Sequence, residues 1–188
     1  MKMTTAFAMM LASAAALPAA AQTPPPPPPP EAKTQAMPYV MASGMSDLYE
    51  INSSQIAQEK AQSPAVKKFA SMMIAQHQKT TAKTMAAAKK AGLTPTPPML
   101  DAGATASINE LQTAAPGDFD RIYLAQQLPA HQAALDLQQS YASGGDQAAL
   151  RANAKATAPL VKRHVDMVTK LQAADMKGGD MKGGDHKM

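Results

Sequence analysis

Apolar residues return every three to four positions from about residue 38 to residue 173, the period of helices that each turn one stripe toward a common core. The stops between the stripes are equally regular. The first helix is expected over about 38–62, with Pro38 at its start and "QSPA" as its end. The second opens there, with Ser63 as cap and Pro64 at the first helical position. It runs to Gly92, with Lys89 and Lys90 facing the negative end of the dipole. A third spans Asp118 to Gly144, and a fourth runs from Asp146 to near Ala173. No alternating β-branched run and no Asn-Gly turn predicts a strand.

The connections set the order of packing. Those at 63 and at 143–145 are short and require antiparallel neighbours, whereas residues 92–117 are long enough to travel the length of a helix and contain a short helix around Thr105 to Ala114. The fold class read from this is all-α, a ferritin-like four-helix bundle of two antiparallel hairpins joined by a long crossover with a short extra helix. An up-down bundle with a loose third loop is the alternative.

Outside 38–173 the pattern changes. Residues 1–21 have one early lysine, an apolar run from Ala6 to Leu17 and small residues ending at Ala21, the layout of a cleaved signal peptide. Residues 22–37 form a proline-rich linker. Pro24 to Pro30 are unbroken, a polyproline rod of roughly 22 Å that suits a spacer better than a ligand for a proline-binding groove. Residues 174–188 repeat MKGGD at 176–180 and 181–185, a composition expected to be a disordered tail. Met176, Met181, Asp185, His186 and Met188 make it at most a loose copper or nickel site. With no apolar run long enough to cross a bilayer, periplasmic or secreted localisation follows.

Composition removes whole classes of chemistry. The absence of cysteine excludes disulfides, thiolate metal sites and cysteine nucleophiles. A net charge of +4 is carried by scattered lysines, and with no Trp, three Phe and four Tyr there are few surfaces on which bases stack, so no nucleic acid is expected as a partner. The 15 methionines read chiefly as core filler in place of aromatics.

What remains is histidine. His77, His131 and His164 each lie on an apolar stripe: His77 with Phe69, Ala70 and Met73; His131 with Leu124, Leu128 and Leu135; His164 with Leu160, Val161 and Val168. Counted from the helix ends, the three fall at one level near the middle of the bundle. Pro129 and Pro159 interrupt the helices close by. At mid-length the first helix offers Glu50 and Asn52. Asn52 shares the stripe of Met45, Leu48 and Ile56, and Glu50 points roughly 160° from it on a helical wheel.

The stretches "SDLYEINSSQIAQEKAQSPAVKKFASMMIAQHQKT", "GDFDRIYLAQQLPAHQAAL" and "APLVKRHVDMVTKL" resemble the domain-of-unknown-function family 4142 over residues 38–172. The resemblance implies a bacterial envelope protein with a ferritin-like helical bundle and no established activity. The chain departs from that family's pattern at Gln76, Ala130 and Asn52, where the family commonly carries acids.

A ferritin-type di-iron site requires Glu-x-x-His. Ile74, Leu128 and Val161 stand three residues before the histidines, so all three motifs fail. No catalytic constellation is present. The leading expectation is therefore a non-enzymatic helical protein, without a predicted cofactor, that acts in envelope stress or maintenance by binding an unknown envelope component. On this expectation the histidines are neutral core groups, bonded to one another or to Asn52, Glu50, Tyr49 or Tyr123. The alternative is a metal-binding or redox protein that holds zinc or copper on His77, His131, His164 and Glu50, since imidazole suits both ions.

Overall fold

A computed structural model describes residues 24–182, with side chains to Met176. After one 3-10 turn at Pro30–Lys33 come α1 (Ala36–Lys60), α2 (Pro64–Lys90), α3 (Ala102–Thr113), α4 (Phe119–Gly144) and α5 (Ala148–Lys182). There is no strand among the described residues. The expected helices are therefore present, with α5 continuing past Ala173 through the first MKGGD repeat and into the second. The signal-like residues 1–21, and Asp185, His186 and Met188 of the tail, lie outside the described residues.

Hydrogen bonds between helices fix their directions. Residue numbers rise along α1 as they fall along α4 through Tyr39 to Gln138 (2.7 Å), Tyr49 to Gln126 (2.9 Å) and Ser54 with Tyr123 (2.8 Å). The same reversal relates α1 to α2, through Gln58 to the Lys67 carbonyl and His77 with Asp47. It also relates α2 to α5, through Asn153 to Thr84 and His164 to Gln76. Thus α2 and α4 run parallel, and the segment carrying α3 has to span the bundle between them.

The expected start of α2 needs one amendment. Ser63 stands at the cap position, but its side chain makes no capping bond. Asp120 of α4 takes over, accepting from the backbone N–H of Gln62 at 3.0 Å and of Ser63 at 2.7 Å. A remote cap also closes α3. The Lys60 ammonium donates to the carbonyls of Leu111 (3.1 Å), Gln112 and Ala114 (3.0 Å), at the helix end where a cation is stabilising. Lys60→Met keeps the apolar stem and removes the three bonds. It is expected to lower stability by about 1–2 kcal/mol, read from the urea midpoint.

Two apolar clusters occupy the ends of the bundle. One gathers Phe69, Met73, Phe119, Tyr123, Leu124 and Val168. The other gathers Ala32, Tyr39, Leu137, Tyr141, Leu150 and Ala154, with the Tyr39 and Tyr141 rings stacked at 3.9 Å. Each large side chain buried there contributes about 1.5–3 kcal/mol.

The face that α1 turns inward differs from the expected Met45, Leu48, Asn52, Ile56 stripe. Asn52 is only half-buried, while Ser43, Asp47, Glu50, Ser53 and Ser54 are buried. The reason is that α1 is packed on two sides. The crossover helix α3 covers the apolar side, with Ile56 beside Tyr49, Ile108 and Leu100, so the inward side is left to small and hydrogen-bonding groups.

Candidate metal centre

Between the two apolar clusters the core changes character. His77 from α2, His131 from α4 and His164 from α5 meet at mid-length, each no more than 3 % exposed. Their ring centroids are 5.7, 5.3 and 5.2 Å apart for the pairs 77–131, 77–164 and 131–164. One nitrogen from each ring lies within 4.8 Å of the other two.

The outward nitrogen of each ring is anchored. His77 Nδ1 lies 2.8 Å from Asp47 Oδ1, and His131 Nδ1 lies 2.9 Å from the Gln127 carbonyl. His164 Nε2 lies 2.6 Å from Gln76 Oε1. All three anchors are acceptors, so each anchored nitrogen donates its hydrogen. That assigns the remaining lone pairs to His77 Nε2, His131 Nε2 and His164 Nδ1. Those three atoms are buried without a hydrogen-bond partner. Unpartnered buried nitrogens are uncommon and costly, and three on rings clustered this closely form a donor set suited to an imidazole-preferring ion. Ligating imidazoles characteristically lean through their other nitrogen on a carboxylate or carbonyl, as all three do here.

Electrostatics divides the set. Burial pulls His131 down to about 3, helped by the neighbouring His77, and pulls His164 down to about 2. Burial opposes the charge on His77 as well, but the hydrogen bond and charge of Asp47 prevail and raise its pKa. Desolvation pushes Glu50 up to about 7.

Of the four residues expected to bind metal, the three histidines come together and Glu50 does not join them. Its Oε1 lies 3.7 Å from His131 Nδ1, the anchored side of that ring, and its Oε2 is buried without a partner. The carboxylate that hydrogen-bonds to the cluster is Asp47, which lies off the apolar stripe of α1. Asp47 accepts from His77, Thr80 (2.9 Å) and Thr81 (2.8 Å). Its one signal was the spacing of Asp47 and Glu50, three apart on α1 and so on one face. Gln76, read as the loss of an acid before His77, serves the histidine of another helix.

On the far side of the rings from Phe69 and Met73 lies a small cavity of about 20 Å³, bordered by Asp47, His77, Thr80, Thr84, Thr157 and His164 among others. That volume holds about one water molecule.

Comparison with known proteins adds two findings. Solved structures with a similar fold include "CopM in the Cu(II)-bound form", 16 % identical, with TM-score 0.63 over 74 % of this chain and 97 % of that one. They also include "CopM in the Cu(I)-bound form", 17 % identical, with TM-score 0.62 over 72 % and 94 %. At such identities the likeness is one of fold. No curated protein matches the chain. The family profile described as "Domain of unknown function (DUF4142)" matches residues 20–171.

Proposed function

The chain belongs to the DUF4142 family, and from that premise we propose that it is a copper-binding helical protein holding one ion on His77 Nε2, His131 Nε2 and His164 Nδ1. The observation that carries this reading is the convergence of three buried, unpartnered imidazole nitrogens whose opposite nitrogens are all anchored. The fold shared with a protein solved in two copper-bound forms supports the choice of ion. The parallel run of α2 and α4 supports a ferritin-like bundle as its framework. The signal-like N-terminus supports action in the periplasm or outside the cell, as a binder rather than an enzyme.

Charge favours the monovalent ion. Neutral imidazoles contribute no charge, and with Glu50 protonated below about pH 7 the one carboxylate bonded to the set, Asp47 behind His77, balances Cu(I) and leaves a dication half-compensated in a buried site. Bound copper would supply a soft Lewis acid there. The protein's own part is to hold three lone pairs in register, fix their tautomers and keep bulk water out with Phe69, Met73 and Val168.

Protein purified without a nickel column is expected to take up one equivalent of Cu(I) in competition with a colorimetric chelator, and to melt at a higher temperature when loaded. His131→Ala and His164→Ala should each lose the stoichiometric site. A wild-type chain that takes up neither copper nor zinc and melts unchanged in their presence would overturn the reading. Asp47→Asn, which keeps the volume and removes the charge, should weaken binding by about 10–100-fold.

A further inference from the structure

The proline segment has a position that a free spacer would not have. Pro25 and Pro28 are half-buried while Pro24, Pro26, Pro27 and Pro29 are exposed, the three-residue period of a polyproline helix laid along a surface. Beneath it is a second cavity of about 30 Å³, bordered by Pro25, Pro26 and Pro28 on the outside and by Ala42, Met45 and Tyr49 on the inside. The segment continues into the fold. Ala32 is wholly buried, and the Thr34 carbonyl accepts from the Asp146 N–H at 2.9 Å.

This outer cavity and the hydroxyl-lined one beside the histidines stand back to back. Ser46 of α1 and Ala134 of α4 border both, so two small side chains stand in the wall between them. The two ends of the bundle are closed to the histidines by large buried groups: Phe69, Met73, Tyr123 and Val168 at one end, Tyr39, Tyr141 and Leu150 at the other.

We propose that the ion reaches its histidines through this seam, passing the Met45 thioether and the Ser46–Ala134 wall into the threonine-lined cavity, and that Pro24–Pro29 is the strap that covers the mouth. The inference rests on the copper-binding reading for the identity of the traveller. Proline suits the role because it has no N–H to leave unpaired, and its rings cover apolar Ala42 and Met45 by packing alone. The strap fits because position 103, in the first turn of α3, is glycine. A Cβ there would fall 2.6 Å from Pro26 Cδ, inside contact distance, so the ring would have to lift.

Three variants test the route: a chain beginning at Pro30; Gly103→Ala, which displaces Pro26 while favouring the helix; and Ala134→Val, which thickens the wall. Two rates are followed. One is the transfer of Cu(I) from loaded protein to excess chelator. The other, on metal-free protein, is deuterium exchange at the imidazole C2 of His77 and His164 by mass spectrometry.

Both rates are expected to rise about tenfold when the strap is removed or lifted and to fall with Ala134→Val, while the melting temperature holds to within a few degrees. Unchanged rates in Gly103→Ala and Ala134→Val, with copper still bound one to one, would overturn the route and leave the site standing. A wild type that binds no copper but whose histidine exchange follows the variants would overturn the metal reading and leave the seam as the path of solvent.

Discussion

Asp47→Ala is expected to cost about 3–5 kcal/mol of folding stability and to abolish tight copper binding, the largest single-residue effect in the molecule outside the histidines themselves. The carboxylate accepts three hydrogen bonds from α2, from His77 Nδ1 at 2.8 Å, Thr80 Oγ1 at 2.9 Å and Thr81 Oγ1 at 2.8 Å. Alanine strips all three donors at once, in a place where Asp47 is 8 % and His77 3 % exposed. Both threonine hydroxyls keep a fallback in the His77 carbonyl, so the loss falls mainly on the histidine. Freed of its anchor, that ring can flip or exchange tautomers, and the lone pair at Nε2 is no longer held toward the other two. Asp47→Asn separates the two effects, retaining a side-chain acceptor while removing the charge. Urea unfolding of the metal-free variants reads the first effect, and copper competition reads the second.

The second large effect is an acid instability of the metal-free protein that its surface charges do not foretell. His131 and His164 have folded pKa values of about 3 and about 2, below the ordinary 6.5. The unfolded chain therefore takes a proton on each as pH falls through 6.5, and the folded chain does not. Their contribution is complete above 6.5, and each loses about 1.4 kcal/mol per pH unit below it. Glu50 acts in the opposite sense. Its folded pKa of about 7 exceeds the ordinary 4.5, so its contribution is present below 4.5 and lost as pH rises toward 7. His77, raised by Asp47, is protonated in both states below 6.5 and adds no slope there.

Between 6.5 and 4.5 the net is two histidines against one glutamate, a loss of about 3 kcal/mol in all, and below 4.5 the decline should steepen. Urea midpoints at pH 7, 6, 5 and 4 measure it. His164→Leu should remove one histidine's share and flatten the curve between 6.5 and 4.5. An unchanged slope in that variant would show that His164 is not the neutral buried base described.

Much of this was readable beforehand, and the failures share a cause. The helices announced themselves because Pro64 opens one, Gly92 and Gly144 mark the ends of two, and a 3.6-residue stripe survives even in a chain poor in aromatics. The histidine layer was readable because depth along a helix is a matter of counting. What failed was the assignment of faces on α1, where the apolar stripe through Met45 and Ile56 serves α3 and the outer cavity, and the inward side is Ser43, Asp47, Glu50 and Ser54. A rule that sends apolar residues inward has no purchase on a helix whose inner neighbours are Gln126, Gln127, Gln138 and three imidazoles. Two of the three anchors failed to appear for the related reason that they lie far from their partners in sequence, while the Gln127 carbonyl is a backbone group one turn before His131. Asp47 serves His77 thirty positions on, and Gln76 serves His164 from 88 positions away.

The polar waist between the two apolar clusters also bears on how the bundle comes apart. Each cluster has its own aromatic pair, Phe119 with Tyr123 below the waist and Tyr39 with Tyr141 above it, and between them lie nitrogens that attract nothing apolar. Such a core is two half-cores in series, weakly coupled where they meet. An ion held by α2, α4 and α5 at that level would be a rivet between them, turning two separable unfolding units into a single cooperative one.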